Sequence, residues 1–302
     1  MSDHTDPDDH TVQRLLAELK LPNAEVAVTP MAGAHSNRVH LITVDEATEG
    51  PTRLVLKTYR NPNYDRDLKA RREFRALEML HDSHVPTPRP IYLDNTGALM
   101  GSSSIVTSFV DGEEPSRTDN VEAYSRAAAT MLAGIHRIET DARDMPLLLD
   151  GNAGCVWFLK HGIPDYMKAH PTGGFLWHAI RDLYTNAVPT SPVLLHTDFW
   201  TANVLWDGRH ILAVLDWEGA AYGDPCVDVA CTRMDMYLNG MDRETADRFL
   251  REYEAAAGRT VENLALWELA AAVRPLRDPA REAECRDELP DFIADAWTRA
   301  GI

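Results

Sequence analysis

The sequence predicts an α+β protein of two lobes, with a strand-rich first lobe and a larger, helical second lobe. Apolar and polar residues alternate along several segments before Asp111, which is the pattern of half-buried β-strands. Beyond Asp111 the apolar residues recur at helical spacing, and aspartates precede these runs as helix caps. The 302 residues, 44% of them hydrophobic and 25% charged, are enough to bury one large core or two linked ones.

The charge balance narrows the classes of partner. The chain has 30 Lys and Arg against 47 Asp and Glu, a formal charge of −17, whereas a general nucleic-acid binder carries a basic patch. We therefore expect no nucleic-acid partner, and we expect cationic partners to be attracted more readily than anionic ones. Whether the chain is a monomer or a homodimer stays open.

Other features predict a cytoplasmic protein with no membrane partner. The sequence has no run of about 18 apolar residues, and residues 1–10 lack the basic and apolar regions of a secretory signal. We expect residues 1–10 to form a disordered acidic tail. The cysteines Cys155, Cys226, Cys231 and Cys285 form no Cys-x-x-Cys pair, which indicates reduced thiols rather than a zinc site or a disulfide framework.

The first lobe, residues 1–110, is predicted to contain a sheet and one main helix. The helix is predicted over Asp65–His81, where apolar residues recur at helical spacing. The prolines of Val85–Pro90 cannot continue it. The predicted strands are Ala24–Thr29, Arg38–Val44, Thr52–Tyr59, Pro90–Leu93 and Leu99–Val110.

The second lobe, residues 111–302, is predicted to be mainly helical, with one short β patch. The sequence contains no internal repeat, and no low-complexity linker lies between this lobe and the first. The predicted segments are a helix capped by Asp119, a helix from Asp242 to Gly258, helices over Val261–Arg274 and Leu289–Ala300, and the β patch over Val193–Leu215.

The β patch contains the residues that suggest chemistry. Asp207-Gly208 is a hairpin signal between two apolar strands, and folding there brings Asn203 and Asp216 to the same open end of the hairpin. Asp198 precedes Asn203 by five residues. Three oxygen-bearing side chains are therefore predicted to converge.

This set of side chains suits phosphoryl transfer. Asn203 and Asp216 offer the oxygen ligands that Mg²⁺ favours, and Asp198 stays free to accept a proton from an attacking hydroxyl. The alternative is that Asp198 and Asn203 cap turns and Asp216 ends a strand, the usual role of single Asp and Asn residues in loops. The spacing of all three around one hairpin favours the chemical interpretation.

The order His196-x-Asp198-(x4)-Asn203, followed by Asp216-Trp-Glu218, resembles the motifs of the aminoglycoside phosphotransferase and choline kinase family. This family is the small-molecule antibiotic kinase branch of the protein-kinase-like fold. The resemblance implies a bilobal fold with an antiparallel sheet lobe, and a larger helical lobe with a short β-hairpin at the active site. It implies that Asp198 is the catalytic base and that Asn203 and Asp216 bind Mg²⁺.

The resemblance also assigns supporting roles around this loop. Asp228 would anchor the catalytic loop rather than act on substrate. His136 and His196 are interpreted as structural. Position 197 is Thr where the family usually has Gly, and Trp200 adds bulk to the loop, two departures that bear on acceptor access and remove no catalytic group.

In the first lobe the resemblance implies a site for ATP or GTP. Lys57 matches the strand lysine that contacts the nucleotide phosphates, and Glu73 matches the helix glutamate that pairs with it. Without the resemblance, these two would be interpreted as a solvent-facing edge-strand lysine and a surface helix residue. The other residues implied to contact the nucleotide lie in a glycine loop and in the hinge between the lobes: Gly33, Ser36, Asn37, Ser108 and Val110.

The acceptor is expected to be a small molecule with a hydroxyl group. The family acts on aminoglycosides, macrolides, choline, homoserine, amino sugars and others, and fold does not choose among them. The carboxylates within Arg281–Asp291 favour a cationic acceptor, such as an aminoglycoside-like antibiotic or an amino sugar, although a charged helix is more often a solvated face. Candidate acceptor contacts are Trp200, Glu218 and Asp235. A role in antibiotic resistance and a role in metabolism both stay open.

Three other functions fit the sequence less well. Protein kinases commonly have a lysine two residues after the catalytic Asp, where this chain has Trp200, and no Ala-Pro-Glu segment follows Asp216. A pseudokinase, which binds nucleotide without transferring phosphate, usually lacks one of four catalytic groups. All four are present here: Lys57, Asp198, Asn203 and Asp216. A metal-dependent hydrolase using His196 and Asp198 would have a ligand set poor in histidine.

Overall fold

The structure, a computed structural model, describes residues 7–21, 25–31, 37–45, 51–115, 120–141 and 143–302. The chain divides into two compact units. The first contains Met1–Asp111 together with Leu215–Glu218, and the second contains Gly112–Val214 and Gly219–Ile302. The short segment that carries Asp216 therefore belongs to the first unit, although the residues on both sides of it belong to the second.

A five-stranded antiparallel sheet forms the first unit's framework, in the order β1-β2-β3-β5-β4. Alternate residues of the second strand are buried, as the alternating sequence predicts. The third predicted strand is confirmed at both ends. The strands are β1 (Glu25–Pro30), β2 (Asn37–Asp45), β3 (Thr52–Tyr59), β4 (Pro90–Asp94) and β5 (Ser104–Ser108).

The fifth strand is shorter than the predicted Leu99–Val110. The carboxylate of Asp94 accepts hydrogen bonds from three backbone N–H groups of the segment that follows it, at 2.7 to 3.2 Å, and so closes a turn. Gly97 in this turn has φ of 72°, and a Cβ there would lie 2.9 Å from the backbone N of Ser102. The chain after this turn therefore joins the sheet only at Ser104, where the fifth strand begins.

Among the described residues of the first unit, two helices accompany the sheet. α1 (Asp9–Glu18) begins inside the stretch that was predicted to be a disordered tail, because Asp8 caps it and its apolar face buries Val12, Leu15 and Leu16 against the sheet. α2 (Arg66–His81) is the predicted main helix, and the side chain of Asp65 caps it by accepting a hydrogen bond from the Leu68 N–H. The predicted loop residues Gly33 and Ser36 lie outside the described residues.

The second unit is mainly helical, as predicted, and its short strands form two small sheets. One sheet has the order β6-β10-β7, with β6 (Leu149–Asp150), β7 (Val193–Leu195) and β10 (Ala221–Gly223), and the other is a hairpin of β8 (Val204–Trp206) and β9 (Ile211–Val214). The helices are α3 (Val121–Ile135), α4 (Gly151–Cys155), α5 (Asp165–Ala169), α6 (Gly173–Thr185), α7 (Cys226–Leu238), α8 (Asp242–Ala257), α9 (Leu264–Ala272), α10 (Pro279–Glu284) and α11 (Leu289–Ala300).

Helices α8 and α11 have the predicted bounds, whereas α3 and α9 differ from prediction. The cap of α3 is Asn120, and the predicted cap Asp119 lies outside the described residues. α9 is shorter than the predicted Val261–Arg274 because Asn263, with φ of 59°, precedes it in a left-handed conformation and donates to the side chain of Asp224. Among the described helices, none is long and apolar enough to cross a membrane.

Helix α7 forms the centre of the second unit, and every one of its residues is buried. It packs against α8, α9 and α11. Arg233 lies fully buried in this core and donates to Glu268 Oε1 at 2.7 Å, to Asp247 Oδ1 at 2.9 Å and to the carbonyl of Ala246. Arg299 of α11 donates to the other oxygen of Glu268 at 3.0 Å. A buried ionic network therefore ties four helices together.

Candidate active site

Lys57 stands at the centre of an acidic cluster in the first unit. It lies on β3, its side chain is 12% exposed, and its Nζ lies 2.7 Å from Glu73 Oε2 and 2.6 Å from Asp216 Oδ1. Glu218 Oε2 is 3.4 Å away. The sequence-predicted pair of Lys57 and Glu73 is therefore formed, and the same ammonium also contacts the predicted metal ligand Asp216.

The carboxylates keep Lys57 charged. Burial opposes the charged ammonium, but Glu73, Asp216 and Glu218 outweigh it and raise the pKa of Lys57 above its usual value. Burial also raises the pKa of Glu73, against the opposing effect of Lys57. The Tyr59 hydroxyl donates to Glu73 Oε2 at 2.5 Å. The result is a desolvated but fixed positive charge, which suits a group that holds phosphate oxygens.

Glu218, a predicted acceptor contact, has both carboxylate oxygens engaged inside the first unit. Lys69 Nζ lies 2.6 Å from Oε1, and the side chain of Asn37 donates to Oε2 at 2.7 Å. Arg72 donates to the Glu218 backbone carbonyl at 3.0 Å. These contacts hold Glu218 against α2. That Glu218 contacts the acceptor and Asn37 the nucleotide stays a prediction.

Asp216 adopts a strained backbone conformation. Its φ is 61°, in the left-handed region that non-glycine residues rarely occupy outside functional or turn positions. The side-chain oxygens of Glu73, Asp216 and Glu218 lie within 4.8 Å of one another, close enough to share a cation, and the Lys57 ammonium occupies that position. In this backbone conformation the Asp216 carboxylate lies beside that positive charge.

The predicted hinge residues lie at the end of β5. The Ser108 hydroxyl accepts a hydrogen bond from the Arg89 N–H at 2.9 Å, and the Ser108 N–H donates to the Arg89 carbonyl at the same distance. Val110 follows two residues later and is partly buried. That these residues contact the nucleotide base stays a prediction.

The predicted hairpin of the second unit is confirmed. Val204 pairs with Val214 across β8 and β9, and Asp207 closes the turn by accepting from the backbone N–H groups of Arg209 and His210 at 2.7 and 2.6 Å. Asn203 immediately precedes this hairpin, and the chain leaves it at Leu215. The predicted convergence of Asp216 with Asn203 stays a prediction, since Asp216 belongs to the first unit.

Asp198 and Asn203 are directly connected. The Asn203 Nδ2 donates to the Asp198 backbone carbonyl at 2.9 Å and to Asp198 Oδ2 at 3.1 Å. The Asp198 side chain is 50% exposed, so a substrate hydroxyl has access to it. This pair has the geometry expected of a loop that holds one carboxylate ready for proton transfer.

Asp228, on α7, anchors the loop as the resemblance implies. Its carboxylate is fully buried and accepts from the backbone N–H groups of His196 and Thr197 at 2.8 and 2.7 Å. The His136 Nε2 lies 3.2 Å away, and its Nδ1 lies 2.7 Å from the Tyr253 hydroxyl. Burial opposes ionisation, but the hydrogen bond and charge of His136 lower the pKa of Asp228 below its usual value. His136 therefore has the structural role predicted for it.

Thr197 explains why a glycine is usual at its position. Its φ is 67°, a conformation that glycine adopts without cost and that strains a β-branched residue. The Thr197 hydroxyl donates to the Gly219 carbonyl at 3.0 Å, and its backbone N–H is held by Asp228. A Cβ on Gly219 would lie 2.6 Å from the Thr197 hydroxyl oxygen. The hydrogen bond from the Thr197 hydroxyl and the absence of a side chain on Gly219 together accommodate Thr197.

Asp235, another predicted acceptor contact, is buried beneath the loop. Its carboxylate accepts from the Thr201 N–H at 3.1 Å and also from the side chain of Asn239. Burial raises the pKa of Asp235 to about 6, against the opposing effect of these hydrogen bonds. These hydrogen bonds hold the turn Thr201–Asn203, and the contact of Asp235 with the acceptor stays a prediction.

The raised pKa predicts a pH-dependent contribution of Asp235 to stability. In the folded chain Asp235 binds its proton up to about pH 6, whereas its ordinary value is 3.8, so the folded state binds more protons between these values. As the pH rises from about 4 to 6 this bound proton is lost. The free energy of unfolding is therefore expected to fall by on the order of 3 kcal/mol over this range. Urea unfolding should show that wild type loses stability relative to Asp235→Asn across this interval.

The control for this experiment is Asp82→Asn, since Asp82 is exposed at the end of α2. It is measured over the same pH range. A stability difference between wild type and Asp235→Asn that does not change with pH would contradict the assignment.

Two features of the site were not predicted from the sequence. Arg274, just beyond α9, donates through Nη1 to Asp198 Oδ1 at 3.1 Å and through Nη2 to the Thr197 carbonyl at 2.7 Å. No local motif marks this arginine, because it lies 76 residues from Asp198 in the chain. The second feature concerns Trp200, a predicted acceptor contact: its buried Nε1 has no hydrogen-bond partner among the described residues.

The predicted metal ligands fit a hard cation by donor type. Among the described residues, Asn203 makes its side-chain hydrogen bonds through Nδ2, so Oδ1 is the atom available to a cation. Asp216 offers a carboxylate that is 37% exposed. Amide and carboxylate oxygens of this kind are the ligands that Mg²⁺ takes alongside substrate phosphates.

Comparison with known sequences shows the family of the chain. The model of the phosphotransferase enzyme family, APH, matches residues 27–267. The chain is 28% identical over 195 residues to mouse acyl-CoA dehydrogenase family member 10. The alignment covers 55% of this chain and 17% of that protein, so this chain spans only a small part of the relative's length. It is 22% identical over 265 residues to 4-hydroxytryptamine kinase of Psilocybe cubensis, covering 76% and 73% of the two chains.

Solved structures share the fold. Macrolide 2′-phosphotransferase MphH of Brachybacterium faecium aligns with a TM-score of 0.63 at 16% identity, over 95% of each chain. APH(2″)-IIa, in a ternary complex with streptomycin and ATP, aligns with a TM-score of 0.63 at 16% identity, over 96% of this chain and 99% of that chain. These alignments confirm the predicted α+β, protein-kinase-like fold class. Since the family model also covers most of the chain, the protein belongs to the phosphotransferase enzyme family, APH.

Proposed function

We propose that the protein transfers the γ-phosphate of ATP or GTP to a hydroxyl group of a small molecule. The observation that carries the proposal is the half-exposed Asp198 carboxylate, oriented by Asn203 at 3.1 Å. A carboxylate that is accessible and fixed by a neighbouring amide is the group that phosphoryl transfer requires to orient the attacking alcohol. The Lys57 cluster supports the same reaction, because it supplies a fixed positive charge for the phosphates.

Each residue has one task in this proposal. Asp198 accepts the proton of the acceptor hydroxyl as the oxygen attacks phosphorus, and the bond from phosphorus to the β,γ-bridging oxygen breaks. Lys57, paired with Glu73, holds phosphate oxygens of the nucleotide. Asn203 and Asp216 would hold Mg²⁺, which when bound neutralises the phosphate charge that develops during transfer.

For the acceptor we propose a cationic molecule that carries a hydroxyl group. The formal charge of −17 favours attraction of cations, and the exposed carboxylates of Glu284, Asp287 and Asp291 add to it. The names of the relatives agree with this class, since streptomycin and 4-hydroxytryptamine are both hydroxyl-bearing amines. A macrolide or another metabolite is the second candidate, favoured by the likeness to macrolide 2′-phosphotransferase.

The experiment is a measurement of acceptor-dependent release of ADP and GDP with Mg²⁺. The panel contains streptomycin, gentamicin, a macrolide, 4-hydroxytryptamine, choline, a nucleoside and an amino sugar. We expect turnover with one amine-bearing class and loss of turnover when EDTA removes the metal. Nucleotide binding with no release for any acceptor would instead favour a nucleotide-binding module without transfer activity.

A further inference from the structure

Arg274 connects helix α9 to the catalytic loop by two hydrogen bonds from one guanidinium. Nη1 donates to Asp198 Oδ1 at 3.1 Å and Nη2 donates to the Thr197 carbonyl at 2.7 Å. We propose that Arg274 is a positioning residue, which locks the Asp198 carboxylate in the orientation that accepts the acceptor proton. The inference rests on the proposed function, in which Asp198 is the proton acceptor.

The two hydrogen bonds of Arg274 together restrain the orientation of the Asp198 side chain relative to its own backbone. One reaches the Asp198 side chain and the other the backbone carbonyl immediately before it, and the guanidinium that bridges them is planar and rigid. The carboxylate is thereby held relative to its own main chain. Asn203 holds the other oxygen, Oδ2, at 3.1 Å. Each carboxylate oxygen of Asp198 thus has its own donor.

An exposed carboxylate needs such support. The Asp198 side chain is 50% exposed, and solvent leaves an aspartate of that exposure free to rotate unless donors restrain it. Correct orientation matters because a displacement of about 1 Å in a reacting group costs on the order of 10²-fold in rate. Removing Arg274 leaves Oδ1 without its donor, and Asn203 alone would then orient the group.

The carbonyl that Arg274 binds belongs to a rigid peptide. Thr197 has φ of 67°, its N–H is held by Asp228 at 2.7 Å, and its hydroxyl donates to Gly219. A strained residue persists when several contacts determine its conformation. Arg274 completes these contacts at the carbonyl, so it holds the side chain of Asp198 against a part of the loop that several hydrogen bonds restrain.

The position of Arg274 in the fold supports the same role. It lies beyond the C-terminal end of α9, a helix buried against α7, and α7 carries the loop anchors Asp228 and Asp235. Among the described residues, Asp198 is the acid that pairs with Arg274. Arg274 and Arg277 also line a cavity of about 160 Å³ behind the loop. Arg277 is exposed and its guanidinium stacks over Trp157 instead of binding the loop, which makes it the matched control.

The test compares Arg274→Ala, Arg274→Lys and Arg277→Ala with wild type, using ATP, Mg²⁺ and the acceptor that turns over in the panel above. For Arg274→Ala we expect kcat to fall by about 100-fold while the KM for ATP changes by no more than about twofold. Arg274→Lys should recover part of this loss, because an ammonium can reach one of the two acceptors but cannot bridge both. Arg277→Ala should match wild type.

Millimolar guanidinium chloride provides a readout that a merely structural role would not move. The side chain lost in Arg274→Ala opens space beside the existing cavity, so added guanidinium should raise kcat of this variant by about tenfold and leave wild type unchanged. An unchanged kcat in Arg274→Ala overturns the proposal. A fall in kcat with an equal loss of ATP binding and of thermal stability, and with no rescue by guanidinium, overturns it as well.

The Asp198→Asn variant separates this inference from the proposed function. If Asp198→Asn turns over acceptor like wild type, the assignment of the proton acceptor is wrong and the role of Arg274 fails with it. If Asp198→Asn is inactive while Arg274→Ala keeps full kcat, the role of Arg274 alone is wrong.

Discussion

Replacing Asp198 with asparagine is expected to lower kcat by about 10²- to 10⁴-fold, the range for loss of a general base. The substitution keeps the size of the side chain but removes its charge and its ability to take up a proton. It also replaces one carboxylate oxygen by an NH₂ group, so either Arg274 or Asn203 then faces a donor instead of an acceptor. The measurement is acceptor-dependent ADP release under saturating ATP and Mg²⁺.

Nucleotide binding should survive this change. Lys57, Glu73 and Asp216 lie together in the first unit and make no use of Asp198 for their mutual contacts. Titration calorimetry with ATP and Mg²⁺ should therefore give an affinity close to that of wild type. Asp82→Asn, an exposed change on α2, serves as the control for both measurements. Normal turnover by Asp198→Asn would rule out its role as the base.

Replacing Arg233 with methionine is expected to lower the free energy of unfolding by about 3–5 kcal/mol, the usual effect of removing one partner from a buried ion pair. Arg233 is fully buried, and without it Glu268 Oε1 and Asp247 Oδ1 would lose the donor that they share. The carbonyl of Ala246 would also lose its donor. Urea denaturation of the purified chain at neutral pH measures the change.

The matched control for Arg233→Met is Arg243→Met. Arg243 also pairs with Asp247, at 3.8 Å, and with Asp295 at 2.9 Å, but its side chain is 65% exposed. Exposed ion pairs contribute no more than about 1 kcal/mol, because water screens them. Equal effects of the two substitutions would mean that burial does not decide the strength of this network. Arg233→Met should keep acceptor turnover at temperatures where it stays folded.

The most informative part of the sequence proved to be the spacing around one hairpin. The turn at Asp207-Gly208 needs only local interactions, so its strands and the position of Asn203 before it follow from adjacent residues. The helix over Arg66–His81 could also be predicted from the sequence, because Asp65 caps it and its apolar residues recur at helical spacing. The pairing of Lys57 with Glu73 was predicted by resemblance, since the order of strand and helix in the chain is that of the family.

Other residues could not be placed from local sequence. Asp235 and Glu218 were predicted to contact the acceptor because each is an acidic residue close to a motif. In the structure both carboxylates accept from donors of the protein itself, Thr201 for Asp235 and Lys69 for Glu218, and their contact with the acceptor stays a prediction. An isolated carboxylate has no sequence signal that distinguishes a partner within the chain from a partner in a ligand.

The sequence by itself predicted the fold class and the hairpin, because strand alternation, helical spacing and turn residues act over a few positions, and it proposed the candidate catalytic groups. Tertiary structure alone decided how those groups are held. Arg274 reaches Asp198 from 76 residues away, and Asp228 reaches His196 from 32 residues away. Such contacts form because α7 and α9 bury their apolar residues against each other. The helix packing, and not any local pattern, brings these charges to the loop.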